Sequence, residues 1–265
     1  MANGSCWTED FLEPIWSGPK RFHWHGDLCF PGILRWEGAE TTAYAGGAEA
    51  LSHWALSPLR GKKGRMIRIL WILISFLIGA MPFSLWLGNL MRKDIRNYGD
   101  GNPGALNAWR AGGYCLGIPA ILLDYLKGVV PVGLASFKLG FTGWELVPIA
   151  LSPVLGHAFS PFLRFRGGKA VAATFGIWTG LTIWEGPTML GIFLGISFLI
   201  QRVDGWSVML AMSGLLVYFL LRQADSSIFA IWFGNASILA WKHRHDLRQK
   251  IGLKPSVVAL LRKER

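Results

Sequence analysis

The chain has 265 residues, of which 52% are hydrophobic and only 16% charged, with a formal net charge of +11 at pH 7. Soluble domains carry about a quarter charged residues, so this composition, with 14 Trp, excludes an ordinary water-soluble fold and points to helices in a bilayer with aromatics near its faces. Residues 1–65 hold seven basic and seven acidic side chains, so the whole excess lies in residues 66–265; split among short loops, it suits anionic lipid or anionic substrates rather than nucleic acid.

Residues 1–65 are rich in Gly, Pro, Trp and His and show no sustained hydrophobic period. His23 and His25 in "HWH" lack the further ligands a metal site needs. Cys6, Cys29 and Cys115 have neither metal nor disulfide spacing. Met66 is followed at once by "IRILWILISFLIG", as the start of a membrane protein would be. We therefore read 1–65 as a disordered extension or a mis-assigned start, 66–250 as a membrane domain, and 251–265 as a basic tail.

From Met66 the pattern becomes regular. Apolar segments run over 66–91, 114–138, 144–161, 171–184, 188–200, 206–221 and 227–241. They predict an all-α integral membrane protein of about seven transmembrane helices, those near 171–200 being short for a bilayer. Alternate loops differ sharply in charge. One set carries Arg92, Lys93, Arg96 and Arg110, then Arg164, Arg166 and Lys169, then Arg202 and the basic tail. The other has Lys138 with Glu145, Glu185, and Arg222 with Asp225. The positive-inside rule places the basic set and the C-terminus in the cytoplasm and the start of the first helix outside. No internal repeat suggests an inverted-repeat transporter.

Two loops of the basic set are glycine-rich: "GDGNPGALNAWR", Gly99 to Arg110, and "LRFRGGKA", Leu163 to Ala170. Glycine turns expose successive N–H groups as concave anion sites, and a nearby cation adds charge. Either loop alone reads as a connecting turn. Two on one face, each pairing glycines with a cation, read as a phosphate site.

These residues carry a resemblance. "GAMPFSLWLGNLMRKDIRNYGDGNPGALNAWRAGG" resembles the first signature of the bacterial acyl-phosphate–glycerol-3-phosphate acyltransferases of the PlsY type, G-S-I-P-F followed by D-I-R-x-x-G-S-G-N-x-G-A-T-N-x-x-R. "LLDYLKGVVPV" looks like that family's second helix. "LGHAFSPFLRFRGGKAVAAT" is similar to its second signature, and "KHRHDL" echoes its third, H-R-x-N-I. The resemblance spans about residues 66–250 in order. It implies a multi-pass enzyme of the bacterial cell membrane, its active site facing the cytoplasm. Such an enzyme moves a fatty acyl group from acyl phosphate to the sn-1 hydroxyl of glycerol 3-phosphate, giving lysophosphatidate and phosphate, with neither metal nor cofactor.

On this reading Arg110 and Lys169 clamp phosphate, and Gly101 to Gly104 with Gly167 and Gly168 supply amides. Asn102 and Asn107 bond a substrate oxygen or cap the turn. His157 orients the second loop or relays a proton. His243 and Arg244 close the phosphate site or belong to a basic tail on lipid. Asp124 and Lys127, one turn apart in an apolar segment, pair and border the site. The departures are Asp100 for serine, Leu106 for threonine, Ala170 for glycine and Asp246 for asparagine; Asp204 in "RVDGWSV" also aligns with a family serine. An ionised aspartate cannot donate to phosphate and repels it. Asp100 and Asp204 therefore bond loop amides, pair with Arg96, Arg110 or Arg202, or mark a different acceptor, holding or activating the hydroxyl of a less anionic alcohol or binding a cation. The competing class is a non-catalytic protein that binds or transports anionic lipid.

Overall fold

The computed structural model describes residues 61–257 and 259. The expectations for the histidine pair, Cys6 and Cys29 lie outside the described residues. Every regular element of more than one residue among the described residues is helical. The helices are α1 (Lys62–Ala80), α2 (Phe83–Leu90), α3 (Ala105–Gly133), α4 (Leu146–Ala158), α5 (Val171–Thr182), α6 (Glu185–Ile200), α7 (Asp204–Leu221), α8 (Ser226–Lys242) and the one-turn α9 (Arg244–Leu247). Helix fills each of the seven apolar segments. Among the described residues four stretches are long and apolar enough to cross a membrane: Lys62–Leu90, Ala105–Lys138, Gly143–Leu163 and Asp204–Leu221. α5 and α6 are apolar but shorter.

The first segment is two helices, not one. Pro82 forces the preceding residue out of the helical region, and Met81 is extended at φ −60° and ψ 122°. The carbonyl that Met81 leaves unpaired accepts from Lys127 Nζ at 3.1 Å. The second segment starts earlier than its apolar run, because Ala105 to Gly112 already form helix ahead of the hydrophobic stretch. Gly113, at φ 59° and ψ −147°, kinks the chain there. Lys93 Nζ donates to Ala111 O beside the kink at 2.7 Å. Asn107 and Arg110 therefore stand on a helix rather than in the loop where the sequence placed them.

Two close crossings organise the bundle. α3 lies against α5, where a Cβ at Gly128 would come within 2.6 Å of Ala173 O and one at Gly176 would meet the backbone of Tyr125 and Gly128. α1 lies against α4 through Gly79 and Gly156 in the same way. Small residues let helix backbones approach where lipid offers no hydrophobic drive to association. Around these crossings Trp178, Phe141, Ile149, Met212, Leu215, Ile231 and Leu239 form one buried apolar cluster.

Several pairings of buried polar groups tie the helices together. Thr174 Oγ1 donates to Asn235 Oδ1 at 3.0 Å, joining α5 to α8. Lys127 Nζ is 2.8 Å from Asp124 Oδ1, and Ser84 Oγ donates to Asp124 Oδ2 at 2.7 Å. This ties α2 to α3 and realises the one-turn pair expected from the sequence. At the opposite helix ends Arg68 pairs with Glu145, and Arg222 lies 3.6 Å from Glu185. The chain after α9 folds back: Arg202 N donates to Gly252 O at 3.0 Å and Lys254 N to Ile200 O at 2.9 Å.

Candidate active site

The α3–α5 crossing brings the first glycine loop beside the second. Lys242 fixes the second from the far side: its Nζ donates to Ala158 O at 3.0 Å and to Gly167 O at 2.8 Å, binding the ends of α8 and α4 to that loop. Gly168 N donates to His157 O at 3.1 Å, and a Cβ at Gly168 would run into the His157 ring. Only glycine fits this packing of loop on imidazole. His157 thus packs directly against the second loop.

Between these elements lies a cavity of about 430 Å³. Its lining includes the apolar Ile121, Phe175, Phe198 and Val208 and the polar Asp100, Asn102, Arg110, Asp124, His157, Lys169, Asp204, His243 and Asp246. Eight of the residues singled out from the sequence line it: Asp100, Asn102, Gly104, Arg110, His157, Lys169, Asp204 and His243. Five do not, namely Gly101, Asn107, Gly167, Gly168 and Arg244. Arg244 is exposed, donates to Trp241 O at 3.0 Å and lies 5.2 Å from the Trp241 ring centroid. Asn107 is buried beneath the first loop, where its Nδ2 donates to Asp100 Oδ1 at 2.8 Å and to Asn102 O at 3.0 Å.

Gly101, Asn102, Gly104 and Gly168, expected to offer amides to phosphate, bond them within the protein. Gly101 N donates to Tyr98 O at 3.1 Å, Gly104 N to Asn102 O at 2.8 Å and Asn102 N to Asp100 Oδ1 at 3.2 Å. The Gly168 amide is taken by His157 O. These N–H groups shape the loops, and the ionisable side chains provide the charge facing the cavity.

Lys169 is held between two carboxylates. Its Nζ lies 2.9 Å from Asp100 Oδ2 and 2.8 Å from Asp246 Oδ2. Asp100 thus bonds a loop amide, as expected, but its cation is Lys169; Arg96 pairs instead with Asp94 at 2.7 Å. Burial alone would push the Asp100 carboxyl up, yet Lys169, the Asn102 amide and Asn107 hold it below the usual carboxylate range. Burial likewise opposes Asp246, and Lys169 and His243 bring it down. Lys169 is raised in turn: burial works against it and the two carboxylates prevail. His243 Nδ1 is 3.1 Å from Asp246 Oδ2. Burial pushes the imidazole down, and the Lys169 charge adds to this while Asp246 opposes it. The neutral ring donates from Nδ1, since an ionised carboxylate only accepts. Arg110 donates to Asn107 Oδ1 at 3.0 Å and makes no ion pair among the described residues.

Asp124 lines the cavity, as the pair with Lys127 read from the sequence as bordering the site. Asp246 was missed as a cavity residue although it had a signal, three residues after His243 on one helical turn. The apolar lining had none, since Phe175 and Phe198 look like ordinary core.

The family model for glycerol-3-phosphate acyltransferase matches residues 69–251. Glycerol-3-phosphate acyltransferase 1 of Thermotoga maritima is 39% identical over 198 residues, 69% of this chain and 98% of the relative. The protein of the same name from Deinococcus radiodurans is 37% identical over 182 residues, 68% and 90% of the two chains. Among solved structures, PlsY, an integral membrane glycerol 3-phosphate acyltransferase, aligns in its glycerol 3-phosphate form with a TM-score of 0.64 at 24% identity, over 73% of this chain and 98% of that one. Its lysophosphatidic acid form aligns with a TM-score of 0.59 at 25% identity, over 68% and 90%.

Proposed function

Because the chain belongs to the glycerol-3-phosphate acyltransferase family, we propose that it is a membrane enzyme that moves a fatty acyl group from acyl phosphate to the sn-1 hydroxyl of glycerol 3-phosphate. The observation that carries this reading is the mixed lining of the cavity. Ile121, Phe175, Phe198 and Val208 suit an acyl chain, and Arg110 and Lys169 line the same space of about 430 Å³. The donor is an activated mixed anhydride. The acceptor hydroxyl oxygen bonds to the acyl carbon, the anhydride C–O bond breaks, and phosphate leaves with the electron pair. The hydroxyl proton passes to the released phosphate.

The protein's part is to bring two anionic substrates together and to stabilise charge on the leaving phosphate. Arg110 is placed for the donor phosphate: it is exposed to the cavity mouth, oriented by Asn107 and free of competing carboxylates. Lys169 serves the acceptor side, with Asp100, Asp246 and His243 around it. Asn102 and Gly104 shape the rim, and His157 supports the second loop. The basic loops at this end support a cytoplasmic active site.

Arg110→Ala tests the assignment. Losing one preorganised contact to the leaving group costs about 10²–10³ in kcat, so acyl transfer measured as phosphate release should fall by that factor with the unfolding temperature retained. A folded Arg110→Ala protein with unchanged turnover would remove Arg110 from the site.

A further inference from the structure

The acyl transfer proposed above, on which this inference rests, brings two phosphates to one cavity. The cavity lining offers two cations, Arg110 and Lys169, against four carboxyl groups, Asp100, Asp124, Asp204 and Asp246. Lys127 answers Asp124 at 2.8 Å. Arg110 carries no ion pair among the described residues. Lys169 is already shared, 2.9 Å from Asp100 and 2.8 Å from Asp246.

This pincer is built into the fold. Asp100 is braced by Asn107 Nδ2 at 2.8 Å and Asn102 N at 3.2 Å, and Asp246 by His243 Nδ1 at 3.1 Å. A phosphate approaching Lys169 meets two carboxylates at the same ammonium, and unlike-partner rejection by placed charge is how sites discriminate. An uncharged hydroxyl meets no such repulsion, because a carboxylate accepts its hydrogen bond.

We propose that Asp100 and Asp246 set the acceptor choice: by holding Lys169 they weaken its grip on an acceptor phosphate and admit uncharged polyols, glycerol being the simplest, beside glycerol 3-phosphate. The chemistry is unchanged. A glycerol hydroxyl oxygen forms the ester bond to the acyl carbon, the anhydride C–O bond breaks, and phosphate leaves and takes the proton.

The test uses the purified full chain in detergent with palmitoyl phosphate, and compares kcat/KM for glycerol 3-phosphate and for glycerol. The wild-type protein should form monoacylglycerol as well as lysophosphatidate. Asp100→Ser with Asp246→Asn should raise the ratio of the two values in favour of glycerol 3-phosphate by about tenfold or more. A merely structural role would lower both activities alike and leave the ratio in place. Lysophosphatidate formation with no monoacylglycerol at any glycerol concentration would overturn the proposal and keep the acyltransferase reading. So would a ratio unchanged in a folded variant. Absence of any acyl product with either acceptor would overturn both. If the double variant does not fold, the wild-type comparison and Asp100→Ser alone decide the question.

Discussion

Asp100 is the residue that the sequence raised as a problem and the structure placed. It sits where the family signature has serine, and its carboxylate joins the Asn102 amide, the Asn107 side chain and the Lys169 ammonium. Its loop chemistry was legible, since aspartate in a glycine turn bonds an amide two residues on. Its cation was not. Lys169 belongs to a different loop and reaches Asp100 only because α3 and α5 cross closely, which no local pattern encodes. The pKa shifts fix how the pincer responds to pH. Asp100 and Asp246 are depressed, so what they contribute is present above the unfolded carboxylate value and lost as pH falls through their lower folded values. Lys169 is raised, so its share is present below the unfolded lysine value and lost as pH rises through the higher folded one. The unfolding-temperature difference between wild type and Asp100→Asn should therefore stay flat between about pH 5 and pH 9. It should also be small, under about 1 kcal/mol, because the pair is partly open to solvent. A difference that changes through the neutral range would show that the pincer is not charged as described.

At the scale of elements, the apolar segments were legible because their periodicity and length are physical requirements of a bilayer. Their ends were less so. The break at Met81–Pro82 follows from proline, but the early start of α3 was hidden by Asn107 and Arg110, polar residues on a short helix that the kink at Gly113 sets off from the apolar run. The second loop holds a local misfit. Ala170 replaces a family glycine and adopts φ 62°, a region where a side chain costs roughly 1–2 kcal/mol. Part of this is offset by the smaller entropy that alanine loses on folding. Ala170→Gly should therefore raise stability, by about 0.5–1 kcal/mol, read as a higher unfolding temperature in detergent. A lower temperature would mean that the Ala170 methyl, which is 1% exposed, contributes more through packing than its backbone costs.

For the whole molecule, charge and hydropathy pointed to a helical membrane protein, and the order of the glycine loops pointed to the family. What they could not supply was the inside of the cavity. Gly101, Gly104 and Gly168, expected to cradle phosphate with their amides, use those amides to shape the loops, and charged side chains line the cavity. Acyl transfer from acyl phosphate is the activity proposed for this cavity. The most direct measurement is to supply the purified chain with glycerol 3-phosphate and either palmitoyl phosphate or a palmitoyl thioester, and to follow lysophosphatidate and phosphate together. Equal amounts of the two products are expected with palmitoyl phosphate and none with the thioester. A folded protein that forms lysophosphatidate from the thioester, or from neither donor, would contradict it.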